Sequence, residues 1–338
     1  PDIDGLHPNY TGLTAANLEA FPTNAYFTGL QEWNGAYFQD QITLWDKLHI
    51  LGGGRHDWLS NGSSWVDSSL AQAYQAQEAG KTITEKFSPR VGLLYRPLDW
   101  LSVYGNYTEA LGNNNWGIDR SGKPLDAQTA EQFEAGFKTE WFDKRLSTSL
   151  AYFHITKQNI GTPDVSTADL YDRRAIGEAR SEGIEFDING NLTNNWKMIA
   201  TYAYTDTKIT KDNDGNVGHQ LPNAARNTAS FWTDYDFKEL FAGNLLSGLN
   251  LGTGVYVVDQ RQGIIDNSFQ LPGYVRWDAS ASYKWNIGKT KLTTQLNVRN
   301  ILDKRYFAGA DTYDQYSRGY GNIPGEPLTL LGSIKVEY

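Results

Sequence analysis

Apolar and polar residues alternate along most of the chain, most clearly in six segments. Between residues 130 and 142 large apolar side chains such as Phe133 and Phe137 stand at odd positions, and charged ones such as Glu134 and Lys138 at even positions. The same alternation covers residues 90–96, 184–192, 275–285, 292–299 and 330–338. A period of two places successive side chains on opposite faces of a β-strand, so these segments predict strands with one apolar face.

Weaker alternation and a β-rich composition extend the prediction to about thirteen strands. They cover residues 31–44, 47–58, 85–96, 101–109, 130–142, 145–159, 174–192, 196–210, 224–237, 248–260, 274–286, 291–306 and 328–338. Many of these exceed the five or six residues of an average strand. Tilted strands of about ten or more residues match the thickness of a bilayer better than the span of a small sandwich.

The predicted connections alternate between short and long. Short turns fall at residues 45–46, 97–100, 143–144, 193–195 and 287–290. Long connections fall at residues 59–84, 110–129, 160–173, 211–223, 261–273 and 307–327, and only 238–247 is intermediate. Outer-membrane barrels have short periplasmic turns and longer extracellular loops, so this sorting predicts such a barrel, whose last strand ends on the periplasmic side. Tryptophans beside short turns, such as Trp100, Trp141 and Trp285, fit an aromatic girdle.

Composition supports an all-β fold. The chain contains 11 Trp, 20 Tyr and 14 Phe, about 13% of its residues, together with 33 Gly and a single Met. Large rings and glycines suit twisted strands better than helix bundles. Mean hydropathy is -0.53, and no segment reaches the about 18 uninterrupted apolar residues of a membrane helix. The predicted fold class is therefore an antiparallel transmembrane β-barrel.

Charge and candidate chemistry exclude several functions. A net charge of -9 disfavours nucleic acid, which requires a basic face. The absence of cysteine excludes disulfides and Cys-ligated zinc. The five histidines share no ligand spacing, and no catalytic triad or phosphate-binding loop is present, so we expect neither an enzyme nor a resident metal. The segment 212–216, DNDGN, is better explained as a hairpin tip than as a calcium loop.

The odd number of strands predicts that part of the barrel lies elsewhere. Single-chain bacterial barrels have even strand numbers, and the sequence begins at Pro1 without an initiator Met. We therefore expect a processed or truncated piece. Residues 1–30 are interpreted as the tail of an extracellular loop or a partial strand, and residues 31–338 as the C-terminal part of the barrel. The alternative is a miscount by one strand, in which case the chain closes alone.

Several strings, taken in order, resemble one family. They are QEWNGAYFQDQ at 31–41, LGGGRHD at 51–57, FSPRVG at 87–92, GEARSEGIE at 177–185, LPGY at 271–274 and LNVRNILDKRY at 296–306. In this order and spacing they closely resemble TonB-dependent siderophore receptors, and within them the ferrichrome-type receptors of hydroxamate siderophores. The sequence departs from many relatives in its last loop, which reads Pro324-Gly325-Glu326-Pro327, and in ending with Tyr338 instead of Phe.

The resemblance implies a barrel of about 22 strands closed by an N-terminal plug, of which this chain would supply the last thirteen or so. It implies a receptor in the outer membrane of a Gram-negative bacterium, embedded in outer-membrane lipid, that imports a ferric siderophore. The energy would come from the TonB–ExbB–ExbD complex through the missing N-terminal region. Iron travels inside the siderophore, so no cofactor is expected. Tyr338 would serve as the signal read by the barrel-insertion machinery.

Two sets of candidate site residues follow. Charged residues that alternate with the apolar face are predicted to face the lumen and the plug: Arg55, Asp57, Arg90, Glu134, Glu185, Arg276 and Arg299. Mutual salt bridges within the barrel wall are the alternative. Aromatic residues and one cation in the long loops are candidates for siderophore binding: Trp116, Tyr171, Tyr313, Tyr316, Arg318 and Tyr320. Packing of the loops against one another is the alternative for these.

Three other functions stay open. Within the family the cargo could instead be a catecholate siderophore, haem or cobalamin. From another class, the chain could belong to a passive porin or structural barrel without a plug. A soluble β-rich glycan-binding or hydrolase domain is the third, and it predicts that Phe133, Phe137, Trp277 and Tyr283 are buried in a sandwich core.

Overall fold

A computed structural model describes residues 26–66, 69–114, 125–164, 173–240, 245–310 and 321–338, together with residues 119, 166 and 243. The chain divides into two compact units. One consists of residues 1–35 and 57–86, and the other of residues 36–56 and 87–338.

The described residues form seventeen strands and one α-helix. The elements are β1 (Tyr26–Leu44), β2 (Leu48–Val66), α1 (Leu70–Ala79), β3 (Thr82–Leu98), β4 (Leu101–Asn114), β5 (Ala127–Trp141), β6 (Leu146–Pro163), β7 (Arg173–Asn191), β8 (Trp196–Lys211), β9 (Asn227–Asp236), β10 (Leu249–Val258), β11 (Arg261–Gln262), β12 (Gln270–Leu271), β13 (Tyr274–Ile287), β14 (Thr290–Arg299), β15 (Phe307–Ala310), β16 (Asn322–Pro324) and β17 (Thr329–Glu337). A single 3-10 turn at Leu245–Gly248 precedes β10.

Thirteen of these strands form one sheet, which confirms the predicted number and type of the main strands. Its order is β1-β2-β3-β4-β5-β6-β7-β8-β9-β10-β13-β14-β17. From β3 onward each neighbouring pair is antiparallel. The pairs β11–β12 and β15–β16 are separate hairpins within two of the long connections. Strands adjacent in sequence are thus adjacent in the sheet, as in an up-and-down barrel.

Some predicted boundaries were wrong. β1 begins at Tyr26, before the predicted start at 31. The predicted long loop 59–84 contains the ends of β2 and β3 and the helix α1. The predicted strand 291–306 ends at Arg299, because Asn300 has a φ of 52° and turns the chain away from the sheet.

The first unit is held by contacts between α1 and the neighbouring strand ends. Leu59 and Ala73 are fully buried. The Thr28 hydroxyl donates to the Ala73 carbonyl at 3.2 Å, and the Ser69 hydroxyl caps the start of α1 by accepting from the Gln72 amide at 3.3 Å. Buried apolar side chains and hydrogen bonds therefore fix the helix, although its sequence has a weak apolar face.

One face of the sheet in the second unit is apolar and exposed. Phe133 is 52%, Phe137 40% and Trp277 45% exposed, while Tyr283 is half-buried. These rings are not in a sandwich core, so the soluble-domain alternative fails on its own prediction. A continuous face of exposed aromatic and aliphatic side chains is stable only when another apolar phase covers it.

Tryptophans gather where the strands meet the short turns. The rings of Trp100 and Trp141 lie 5.2 Å apart. The indole N–H of Trp141 donates to Thr139 at 2.7 Å, and that of Trp196 to Thr233 at 2.6 Å. These bonds satisfy the indole donors while the rings stay on the apolar face, as an interfacial girdle requires.

Among the described residues, no helix combines the length and the apolar character needed to cross a membrane.

Candidate functional site

The residues predicted to bind a siderophore lie outside the described part of the chain. They are Trp116, Tyr171, Tyr313, Tyr316, Arg318 and Tyr320. The geometry of the site is therefore built from two regions that the structure does describe. They are the polar face of the sheet and a cluster of loops at residues 212–226, 259–273, 300–310 and 321–328.

An acidic cluster lies on the polar face, formed by Glu134 on β5 with Glu185 and Asp187 on β7. Glu134 accepts hydrogen bonds from the Tyr104 hydroxyl at 2.7 Å and from the Gln132 amide at 3.0 Å. Asp187 accepts from the Ser149 hydroxyl at 3.2 Å. Glu185 is exposed and close enough to interact electrostatically with the other two carboxylates.

The acidic cluster has no cation of its own at Glu185. Within the described residues the Glu185 carboxylate has neither a hydrogen bond nor an ion pair. Strand β6 lies between β5 and β7 and places only Ala151 opposite Glu185, so the carboxylate is left accessible. Three carboxylates at one place on a wall favour a positively charged partner.

The predicted cations of the polar face have partners within the wall. Arg276 donates to Asp278 at 2.9 Å and lies 4.6 Å from the centre of the Tyr256 ring. Arg299 donates to Glu326 at 3.3 Å. For these two arginines the geometry matches the alternative of mutual salt bridges.

The remaining lumen candidates lie near the start of the chain. Arg90 donates to the Gln39 side chain at 3.3 Å, reaching from β3 to β1. A Cβ at Gly53 on β2 would lie 2.9 Å from the Gln39 Cα, so glycine there allows the backbones of β1 and β2 to approach closely. In the first unit, Asp57 is 3% exposed and accepts from the Trp33 indole at 2.8 Å. Arg55 is exposed.

The long loops 212–226 and 259–273 are joined by an asparagine side chain. The Gln220 amide donates to Asn267 Oδ1 at 2.8 Å, and Asn267 Nδ2 donates to the Gln220 carbonyl at 2.9 Å. Asn267 has a φ of 57°, in the left-handed region that asparagine tolerates. Its side-chain amide forms hydrogen bonds with both the backbone N–H and the carbonyl of Gln220, as a neighbouring strand would.

A second asparagine joins loop 212–226 to the last loop in the same way. Asn223 Nδ2 donates to the Ala310 carbonyl at 2.8 Å, and the Ala310 amide donates to Asn223 Oδ1 at 2.8 Å. The Asn223 backbone amide also donates to the Gln262 carbonyl at 2.8 Å. One residue therefore contacts both other loops.

Arg261 joins loop 259–273 to the last loop. Its guanidinium donates to the carbonyls of Phe307 at 2.7 Å and Ala308 at 3.0 Å, and it lies 5.6 Å from the centre of the Tyr274 ring. The side chain is only 6% exposed. The three loops are thus tied pairwise by Asn223, Arg261 and Asn267, which we call the loop clamp.

The base of the last loop is fixed by Asn300, which is fully buried. Its amide donates to the carbonyls of Lys304 at 3.0 Å and Glu326 at 2.9 Å, and its backbone N–H donates to Asp278 at 2.8 Å. The strand β13 therefore holds both ends of the connection that leads to β17.

Asp259 anchors the start of loop 259–273. The Asn227 side-chain amide donates to it at 2.9 Å and the Gln260 backbone N–H at 2.8 Å. These bonds, with a smaller effect of Arg226, lower the pKa of the Asp259 carboxyl.

The clamp residues were missed by the sequence analysis. Asn223 and Ala310 are 87 residues apart, and Asn267 and Gln220 are 47 apart, so no local motif connects them. The segment 212–216 forms a turn in which Asp212 accepts from the backbone amides of Asp214 and Asn216 at 3.1 Å each. Within the described residues no group of three or more His, Asp or Glu side chains could hold a metal ion.

An antiparallel sheet with an apolar outer face, a polar inner face and alternating short and long connections defines an outer-membrane β-barrel protein. Residues 3–301 match the family model described as TonB dependent receptor-like, beta-barrel, and the chain belongs to this family. Its members are outer-membrane receptors and transporters, not enzymes. The sequence-based resemblance and the fold class are confirmed.

Relatives with known cargo share about a third of their aligned residues with this chain. The metal-pseudopaline receptor CntO of Pseudomonas aeruginosa PAO1 is 32% identical over 306 residues, which are 89% of this chain and 40% of the relative. The ferrioxamine B receptor of Salmonella typhimurium LT2 is 32% identical over 313 residues, covering 92% and 42%.

A solved structure shares the fold. The siderophore receptor PiuA of Acinetobacter baumannii superposes with a TM-score of 0.74 at 26% identity, covering 92% of this chain and 44% of PiuA. The chain spans about two fifths of the length of the curated relatives it matches.

Proposed function

We propose that the chain is the C-terminal barrel part of an outer-membrane receptor that binds a ferric siderophore outside the cell and imports it with energy delivered through TonB. The observation that carries this proposal is the family match over residues 3–301. The similarity to the siderophore receptor PiuA and to the ferrioxamine B receptor supports a siderophore as cargo. The reaction involves binding and transport, and no covalent bond changes.

The cargo is proposed to be a hydroxamate siderophore. The sequence strings resemble the ferrichrome-type receptors, and the relative that binds ferrioxamine B supports a ferric siderophore of this kind. The CntO relative favours a second candidate, a metal complex of pseudopaline. Aromatic faces and a few donors at Trp116, Tyr171, Tyr313, Tyr316, Arg318 and Tyr320 would bind the organic shell of the chelate. The iron itself would need no protein ligand.

The polar face is proposed to enclose a plug domain that lies N-terminal to residues 31–338 in the full-length protein. The acidic cluster supports this, since Glu185 has an accessible carboxylate and would pair with a cation of the plug. Arg55, Asp57, Arg90, Glu134, Arg276 and Arg299 would line the same lumen. A plugged lumen distinguishes a receptor from a passive porin, whose lumen is filled with water.

The long loops are proposed to be extracellular and the C-terminus periplasmic. The alternation of short turns and long loops supports this orientation, because outer-membrane barrels have short periplasmic turns and longer extracellular loops. Tyr338, exposed after β17, would be read by the barrel-insertion machinery, and TonB with ExbB and ExbD would act from the periplasm.

A titration tests the proposal. The full-length protein in detergent is titrated with ferric hydroxamate, ferric catecholate and metal–pseudopaline complexes while Trp fluorescence is followed. Saturable quenching by one class, weakened in the Trp116→Ala and Tyr316→Ala variants, is the expected result. No response to any chelate, together with open-channel conductance in a planar bilayer, would overturn the proposed receptor function and favour a passive porin.

A further inference from the structure

The loop clamp is a closed set of contacts and not a collection of single bonds. Asn267 ties loop 259–273 to loop 212–226, Asn223 ties loop 212–226 to β15, and Arg261 ties β15 back to loop 259–273. Because each of these three segments is held by the other two, none of them can move alone without breaking part-buried hydrogen bonds.

If the loop clamp served stability alone, the burial of the Arg261 guanidinium would be unfavourable. Arg261 is 6% exposed, its two hydrogen bonds go to neutral carbonyls, and its Nε is buried without a partner among the described residues. No carboxylate pairs with it in the described part of the chain. Burying a guanidinium without a counter-ion is unfavourable, and replacing it with an apolar side chain is often neutral or stabilising. Its presence is explained better by a need for one defined loop arrangement.

In the last loop, the clamp fixes strand β15. Ala310, which is 5% exposed, ends β15 with both of its backbone polar groups bonded to Asn223. Along the sequence, Tyr313, Tyr316, Arg318 and Tyr320 follow Ala310 directly. The anchoring of Ala310 therefore sets the point from which the predicted ligand-binding segment departs.

We propose that Asn223, Arg261 and Asn267 are positioning residues for the cargo: they hold loop 212–226, loop 259–273 and strand β15 together and thereby raise the affinity for the siderophore. This inference rests on the proposed function. A site whose loops are already ordered loses less conformational freedom on binding. When only a fraction of the protein has the competent arrangement, the apparent affinity falls by that fraction.

The direct test compares two asparagine substitutions in the same loop. Asn223→Ala removes the side chain that bonds Ala310. Asn213→Ala is the matched control, because Asn213 Nδ2 donates to the Pro163 carbonyl at 3.0 Å and does not touch the last loop. In the full-length protein, Asn223→Ala should bind the ferric siderophore about tenfold more weakly, a ratio that corresponds to roughly 1.4 kcal/mol. The Ala310 amide should also exchange hydrogen faster, and the control should change neither quantity.

A second test replaces the hydrogen bonds between Asn223 and β15 with a disulfide. The chain has no cysteine. A variant with Asn223→Cys and Gly309→Cys therefore contains a single pair of cysteines in this chain. The geometry allows it, since a Cβ at Gly309 would lie 3.8 Å from the Asn223 Cγ. In the double variant, affinity should be low under reducing conditions and return to the wild-type value after oxidation. Equal resistance of the reduced and oxidised states to denaturation in detergent gels excludes a folding defect as the cause of this difference.

The outcomes separate the two proposals. If the wild-type protein binds no chelate in the titration, the proposed function fails and the positioning role fails with it. If the wild-type protein binds but Asn223→Ala binds equally well, only the positioning role is overturned. Equal affinity of the reduced and oxidised double variant would overturn it as well.

Discussion

Among the single residues, asparagine side chains form hydrogen bonds to the main chain that another backbone segment usually forms. Asn223, Asn267 and Asn300 all have positive φ angles of 52–59°, and each bonds the main chain of a distant segment. Asparagine suits this role because it tolerates the left-handed region and carries one donor group and one acceptor on a short side chain.

Asn300 provides a stability test of this role. Asn300→Ala leaves the carbonyls of Lys304 and Glu326 without their donor in a buried place, so the free energy of unfolding should fall by about 2–4 kcal/mol. Asn300→Gly, which relieves the positive φ, should lose less. Denaturant unfolding in detergent measures both. Asn297→Ala is the control, because Asn297 makes an exposed bond to Gln295, and a loss there as large as at Asn300 would contradict the argument.

Asp259 predicts a pH dependence of loop 259–273. The pKa of its carboxyl is lowered by the Asn227 amide, the Gln260 N–H and Arg226, so its contribution to stability is complete above the pKa of the unfolded chain. The contribution is lost as pH falls through the lower pKa of the folded state. Limited proteolysis should therefore cut this loop faster in acid than at neutral pH. The Asp259→Asn variant should show a much weaker dependence on pH, and an unchanged one would argue against this anchor.

The contacts of the loop clamp could not be predicted from the sequence. The alternation of Arg276 and Glu134 with apolar neighbours predicts that they occupy the polar face, because alternation is a local property of a strand. The partner of Asn223 depends on how three loops meet in space, and no spacing along the chain reports that meeting.

At the scale of elements, β6 and its neighbours show how two faces are built from one strand. Leu150 lies opposite Phe137 and Phe186 on the apolar face, whereas the adjacent Ser149 bonds Asp187 on the polar face. Leu150→Arg should lower the free energy of unfolding in a bilayer by about 2–4 kcal/mol. Ser149→Arg should have little effect, because its charge would meet the acidic cluster. Equal effects in folding titrations would mean that the assignment of faces is wrong.

Glycines within strands allow neighbouring backbones and rings to approach. A Cβ at Gly183 on β7 would collide with the Tyr204 carbonyl and lie 3.0 Å from the Phe153 ring. Gly183→Ala should therefore reduce the yield of folded barrel, scored by resistance to denaturation in detergent gels. Gly92→Ala is the matched strand control, since its Cβ would meet nothing closer than 3.7 Å. Normal folding of the Gly183 variant would contradict the packing.

Strand identity was predictable because alternation is a local property, and all thirteen strands of the main sheet were found. The ends of the strands were less predictable than the strands themselves. The helix α1 was missed because its apolar residues have no clear helical period, and it is held by Leu59 and Thr28 from neighbouring strands. The short hairpins β11–β12 and β15–β16 were missed because each is stabilised by loop contacts, such as those of Arg261 with β15.

At the scale of the whole molecule, the sheet separates an apolar face, a polar face with an acidic cluster, and one end where three loops are joined. These three features suit a membrane-embedded receptor whose lumen is occupied by a plug and whose outer loops bind a large ligand. In the proposed function, this arrangement serves the import of a ferric siderophore.

Uptake of radioactive iron tests that claim most directly. Cells that lack their other siderophore receptors and express the full-length protein are given the ferric siderophore that binds in the titration, with and without functional TonB. We expect saturable uptake that requires both the protein and TonB. Uptake that is unsaturable and independent of TonB, or no uptake of any chelate that binds, would contradict it.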